Sequence, residues 1–159
     1  MSDVLPGTAW VTTAWLVVVA TYVALSTIWV SYEPGWYAGL EKPAFQPPDV
    51  VFGVIWPLNF LVLFVVGVWF TRSVEIEVAW GATVVLAVSV VAALAWAWLF
   101  YVPHRLWPAA LCLVVAAVLT WVLVALVARA LPAAGLALAP YAVWLSVAAA
   151  LSVGYAQLN

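Results

Sequence analysis

Between Trp36 and Asn59 the chain reads WYAGLEKPAFQPPDVVFGVIWPLN, and much of its polar chemistry is concentrated there. The stretch holds the only lysine, Lys42, with Glu41 and Asp49 nearby, among Trp36, Tyr37, Phe45, Phe52 and Trp56. Ring faces stack on a flat apolar guest, while a neighbouring charge meets a polar edge. Each X-Pro step pushes the preceding residue toward extended backbone, so Pro43, Pro47 and Pro48 predict a stiff, non-helical lid. Pro48 suits the first helical position, and Asp49 then falls in the first turn, where the helix dipole favours a carboxylate. Two roles stay open for Lys42: it meets a ligand's polar edge, or it pairs structurally with an acid.

Other chemistry is sparse. A hydrolase needs a nucleophile with a base in reach. The one histidine, His104, sits beside Arg105 in a connecting segment. Its plainer reading is a solvated loop residue. The functional reading is an axial haem ligand or a proton-sensitive group. Cys112 stands alone, which excludes a disulfide framework within the chain and a thiolate metal site. Phosphate-loop and dinucleotide fingerprints are missing. A net charge of −2 argues against a nucleic-acid footprint.

The elements that position these residues follow from composition. The chain is 70% apolar and 6% charged, against about 25% charged in an ordinary soluble domain. Lipid must cover much of the surface. A membrane-spanning helix needs about 20 apolar residues, and five runs qualify, near 8–30, 49–70, 78–101, 107–130 and 135–158. The expected fold is an all-α membrane protein, a five-transmembrane-helix bundle forming one domain over 1–159. The charges fall at the gaps: Asp3 before the first run, then Glu33, Glu41, Lys42 and Asp49, then Arg72, Glu75 and Glu77, then Arg105, and Arg129. A charge at the bilayer centre is costly, so this distribution supports the spans and argues against an ion-coupled pump. Lys42 and Arg105 on one side balance Arg72 and Arg129 on the other, so the charges do not fix orientation. The opening MSDVLPGTAW lacks a basic region, and no cleavable signal peptide is expected.

Trp10, Trp29, Trp36, Trp69, Trp80 and Trp107 lie near predicted helix ends, where an interfacial aromatic belt accounts for them. Trp56, Trp96, Trp98, Trp121 and Trp144 lie deeper, and for these pocket lining competes with lipid-facing bulk. Small residues recur every four positions at Ser89, Ala93 and Ala97, and at Ala142, Ser146, Ala150 and Gly154. Such ridges let helices approach closely, either inside the bundle or at a dimer face on the third span.

The spacing of Trp36, Tyr37, Leu40, Lys42, Pro43, Phe45, Pro47, Pro48, Phe52, Ile55 and Trp56 resembles the signature of the TspO/MBR family. That family comprises the tryptophan-rich sensory proteins and the translocator, or peripheral benzodiazepine receptor, proteins. A second match runs Pro140-Tyr141-x-x-Trp144, then Ala148, Leu151 and the final Leu158-Asn159. The aromatic pattern ending the third run, Trp96-Ala97-Trp98-Leu99-Phe100-Tyr101, is similar as well. There the family's asparagine is replaced by Ala93, and Asn59 is a candidate substitute amide whose plainer role is an interhelical hydrogen bond. The sterol-associated pattern of some relatives has its Val153 and Tyr155 here, but no basic residue follows.

The resemblance implies binding of porphyrins and drug-like isoquinolines by a membrane protein, with a homodimer as the expected assembly and the cell (cytoplasmic) membrane as its site. The residues point the same way: an aromatic slot under a stiff lid suits an apolar macrocycle with polar substituents. The candidate ligand-binding residues are Tyr37, Pro47, Trp56, Asn59, Ala93, Trp96, Trp144 and Ala148, with Lys42, Pro43, Phe45 and Pro48 in the lid. No obligatory cofactor is expected. Porphyrin or haem is the expected ligand, and the bilayer and other hydrophobic small molecules are the remaining partners. The roles implied are sensor, chaperone or transporter. The alternative is oxidative or light-driven porphyrin degradation at the pocket tryptophans, which needs no acid–base pair.

Overall fold

A computed structural model describes residues 8–159, and Asp3 with the rest of 1–7 lies outside them. Six helices follow in order: α1 Thr8–Val30, α2 Pro34–Ala38, α3 Asp49–Ser73, α4 Ile76–Tyr101, α5 Leu106–Ala130 and α6 Pro132–Leu158. All but α2 are long and apolar enough to cross a membrane. Within hydrocarbon each backbone N–H and C=O must find its partner inside the segment, and a helix satisfies that requirement locally. The protein is therefore an integral, multi-pass membrane protein with an all-helical fold.

The helices close into a ring. α1 lies against α3 and α4, α4 against α5, α5 against α6, and α6 against α3. Lipid-facing positions carry Val54, Leu61, Val65, Val88, Leu111 and Val118, all exposed. Small side chains and hydroxyls line the contact between α4 and α5. Ser89 on α4 donates to the Ala116 carbonyl at 3.0 Å and lies 2.9 Å from the Thr120 hydroxyl of α5. Ala93 and Ala97 continue that ridge and are buried within the bundle.

One close seam joins α1 to α3. Trp15 is fully buried, and its indole N–H donates to the Leu63 carbonyl at 2.9 Å. The ring lies over Gly67, where an added Cβ would stand 2.1 Å from the indole nitrogen. One turn further, the Thr12 and Thr71 hydroxyls meet at 2.7 Å. Sequence reading left Trp15 unassigned. The spacing of Val11, Trp15, Val19 and Tyr22, all buried, is the one signal that marks this face.

Two local expectations change. Pro48 is not the first helical residue but the position before it, with φ −54° and ψ 146°, and its carbonyl accepts from Val51 N–H at 2.9 Å. Its extended ψ lets the chain turn from lid into helix, and Asp49 opens α3. The connection after α1 also contains α2, a short helix begun by Pro34, whose fixed φ suits a first turn. Helix α6 runs unbroken through Pro140, and α3 through Pro57.

Candidate functional site

At the lid end of the bundle lies a cavity of about 460 Å³. Four of the long helices and α2 each contribute to its wall; α5 does not. Tyr37 comes from α2, Trp56 and Phe60 from α3, Trp96 and Phe100 from α4, and Ala148 and Tyr155 from α6. Its size lies within the range of about 300–1,000 Å³ usual for small-molecule sites. A small residue at Ala148 leaves room between the α3 and α4 indoles. Of the charged side chains among the described residues, Asp49 alone lines it.

Four of the expected contact residues, Tyr37, Trp56, Trp96 and Ala148, thus come together on one cavity. Trp144 stands behind them. Its ring meets Trp56 edge-on at 6.4 Å and Phe52 at 5.5 Å. Its outer side borders a shallow apolar groove on the lipid face, beside Ile55, Pro140 and Val143. Pro47, Asn59 and Ala93 do not line the cavity. Asn59 and Ala93 are buried within the bundle. Neither the Asn59 amide nitrogen nor the buried Trp144 indole nitrogen has a hydrogen-bond partner.

The lid is fastened by the last turns of α6. Glu41 N–H donates to Asn159 Oδ1 at 2.9 Å, and Asn159 Nδ2 donates back to the Glu41 carbonyl at 3.1 Å. The Tyr155 hydroxyl donates to Gln46 Oε1 and lies 3.0 Å from the Tyr37 hydroxyl. Pro43 rests on Gly154, where an added Cβ would sit 2.8 Å from Pro43 Cγ, and the Phe45 ring lies just beyond. Lys42 pairs with Asp49 at 3.5 Å, and Gln46 Nε2 reaches the same carboxylate at 3.5 Å. Of the two roles left open for Lys42, the structure displays the acid pair.

Two further features escaped sequence reading. In sequence, Tyr155 belongs only to the sterol-associated pattern and Gln46 carries no mark. Their contact joins positions 109 apart, and no local signal announces it. The second concerns His104, which has φ 56° and stacks on Trp36, with ring centroids 3.9 Å apart. Its Nε2 lies 3.4 Å from Glu33 Oε2. His104 thereby ties the α4–α5 connection to the α2 segment and is not among the cavity-lining residues.

This arrangement can hold a flat apolar molecule between indole and phenol faces. Trp96 is braced for that role by its N–H bond to Ser152 Oγ at 3.0 Å. It offers no general acid and base facing one another across the cavity.

Comparison with known proteins agrees with the sequence resemblance. The model of the TspO/MBR family matches residues 9–158. The chain is also 28% identical over 130 residues to Protein CrtK of Rhodobacter capsulatus, covering 80% of this chain and 81% of that protein. With the match running through all five spans, the lid and the aromatic wall, the chain belongs to the TspO/MBR family.

Proposed function

We propose that this protein binds flat, hydrophobic small molecules, tetrapyrroles first among them, and serves as their sensor, chaperone or transporter in the cytoplasmic membrane. The observation that carries the reading is the cavity of about 460 Å³ walled by Tyr37, Trp56, Trp96 and Phe100, at the end of the bundle where the 39–48 segment is bonded to α6. Aromatic walls supply stacking area to a macrocycle. Family membership supports a membrane protein of this type. The test is a titration of the purified protein with protoporphyrin, other porphyrins and a sterol, followed by tryptophan fluorescence. Saturable quenching by porphyrins supports the reading, and quenching that never saturates counts against it.

A second reading, light-driven breakdown of the bound pigment, is favoured by the edge-on contact of Trp56 and Trp144. Illumination of the protoporphyrin complex separates the two. A new pigment band that disappears in Trp56→Phe and Trp144→Phe supports degradation, and tight binding without such a band leaves a binding role.

A homodimer remains part of the proposal. Because Ser89, Ala93 and Ala97 face inward, a dimer face on α4 would use its exposed side, at Val84, Val88 and Val91. Crosslinking through cysteines placed at those three positions tests it.

A further inference from the structure

The cavity wall is almost entirely uncharged, and its one exception has a sign. Asp49 lines the cavity at the first residue of α3. Its counter-ion, Lys42, reaches it from the lid at 3.5 Å but does not itself line the cavity. Gln46 Nε2 also addresses the Asp49 carboxylate. Glu33 and Glu41 add negative charge in the same connecting segment.

Several hydrogen-bond donors around the cavity are engaged elsewhere, while the Tyr22 hydroxyl, which also lines it, has no hydrogen-bond partner. Ser26 and Thr27 both donate to the Val23 carbonyl of their own helix, at 3.2 and 2.7 Å. The Trp96 N–H is held by Ser152, and the Tyr155 hydroxyl by Gln46. A carboxylate entering this end would have to draw Lys42 away and leave Asp49 unpaired beside it, two like charges at the exposed mouth of the cavity. A cationic or N–H-bearing edge would meet Asp49 directly, while the half-exposed Lys42 side chain swings into water.

We propose that Asp49 determines the charge preference of the cavity, favouring planar ligands whose edge at the lid is cationic and disfavouring polycarboxylates. The inference rests on the tetrapyrrole-binding reading and specifies which members of that class are held best.

The experiment uses three derivatives of one macrocycle: protoporphyrin with its two free carboxylates, its neutral dimethyl ester, and its bis(aminoethyl)amide, which is dicationic at neutral pH. Each is titrated by tryptophan fluorescence into the unmodified protein and into Asp49→Asn and Lys42→Gln. Comparing variants with one ligand removes differences in partition into detergent or lipid. Exposed ion pairs are modest, so the expected changes are roughly two- to fivefold. Asp49→Asn weakens the dication, strengthens the dicarboxylate and leaves the ester unchanged. Lys42→Gln does the reverse for the two charged ligands. Asp49 is exposed and follows the cap position Pro48, so Asn there leaves the helix start intact and loss of fold does not confuse the result. If all three ligands shift together, or none shifts, Asp49 is structural and the inference is overturned. If the neutral ester fails to bind the unmodified protein, the tetrapyrrole reading fails and this inference falls with it.

Discussion

Asn159 and Glu41 exchange two hydrogen bonds, side-chain amide to backbone on both sides, across 118 positions of sequence. Asn159 therefore bolts the lid to the end of α6. Asn159→Ala removes both bonds. Each contributes about 1 kcal/mol net, so lid opening should rise roughly thirtyfold. Hydrogen exchange reports this directly, with faster exchange at Glu41 and its neighbours and unchanged exchange in α4 and α5.

The Tyr155 hydroxyl lies between Gln46 of the lid and Tyr37 of α2. Tyr155→Phe keeps the ring that helps wall the cavity and deletes only the latch. Loss of a bond of this kind is worth about 1 kcal/mol. A bound porphyrin should dissociate several-fold faster, with little change in the amplitude of fluorescence quenching. Stopped-flow displacement measures that rate, and an unchanged rate would show that the latch does not hold the lid over the ligand.

Trp15 and Gly67 make a different kind of contact, one of volume. A methyl group at Gly67 would stand 2.1 Å from the indole nitrogen. Overpacking of this sort costs about 1–3 kcal/mol. Gly67→Ala should lower the thermal midpoint in detergent, and adding Trp15→Phe should recover part of the loss because the two sites share one space. Strict additivity of the two substitutions would contradict the packing described.

Ala148 keeps the cavity open between Trp56 and Trp96. Ala148→Phe fills that space with a ring facing an existing void, so the fold should persist while porphyrin binding drops by at least tenfold. Near-ultraviolet circular dichroism checks the fold, and the fluorescence titration checks the binding. Retained affinity would move the ligand out of this cavity.

The spans were legible because lipid imposes a rule on every residue. Runs such as 107–130 must be apolar and uncharged to exist at all, and α5 spans Leu106–Ala130. The aromatic wall was partly legible for another reason: Trp56 and Trp96 fall at helical positions that face inward. Depth was harder. Ala93 is close in sequence to Trp96 and Asn59 is next to Phe60, yet neither reaches the cavity wall. The sequence shows which stretch is helical but not how far along the bundle the void extends. Trp15 stayed hidden because its partners, Leu63 and Gly67, lie on another helix and carry no polar mark. The latch from Gln46 to Tyr155 was equally invisible, since it depends on the ring closing α6 against α3.

The central claim is that a planar molecule lies against Trp56 inside the bundle. Porphyrin titration of Trp56→Phe beside Trp121→Phe tests it most directly, because Trp121 is exposed and bonded to Ser146 on the outer side of the bundle. The account predicts saturable quenching in the unmodified protein, a marked loss of quenching amplitude in Trp56→Phe, and a near-normal curve in Trp121→Phe. Equal curves for the two variants, or quenching that grows without limit as in simple lipid partition, would contradict it.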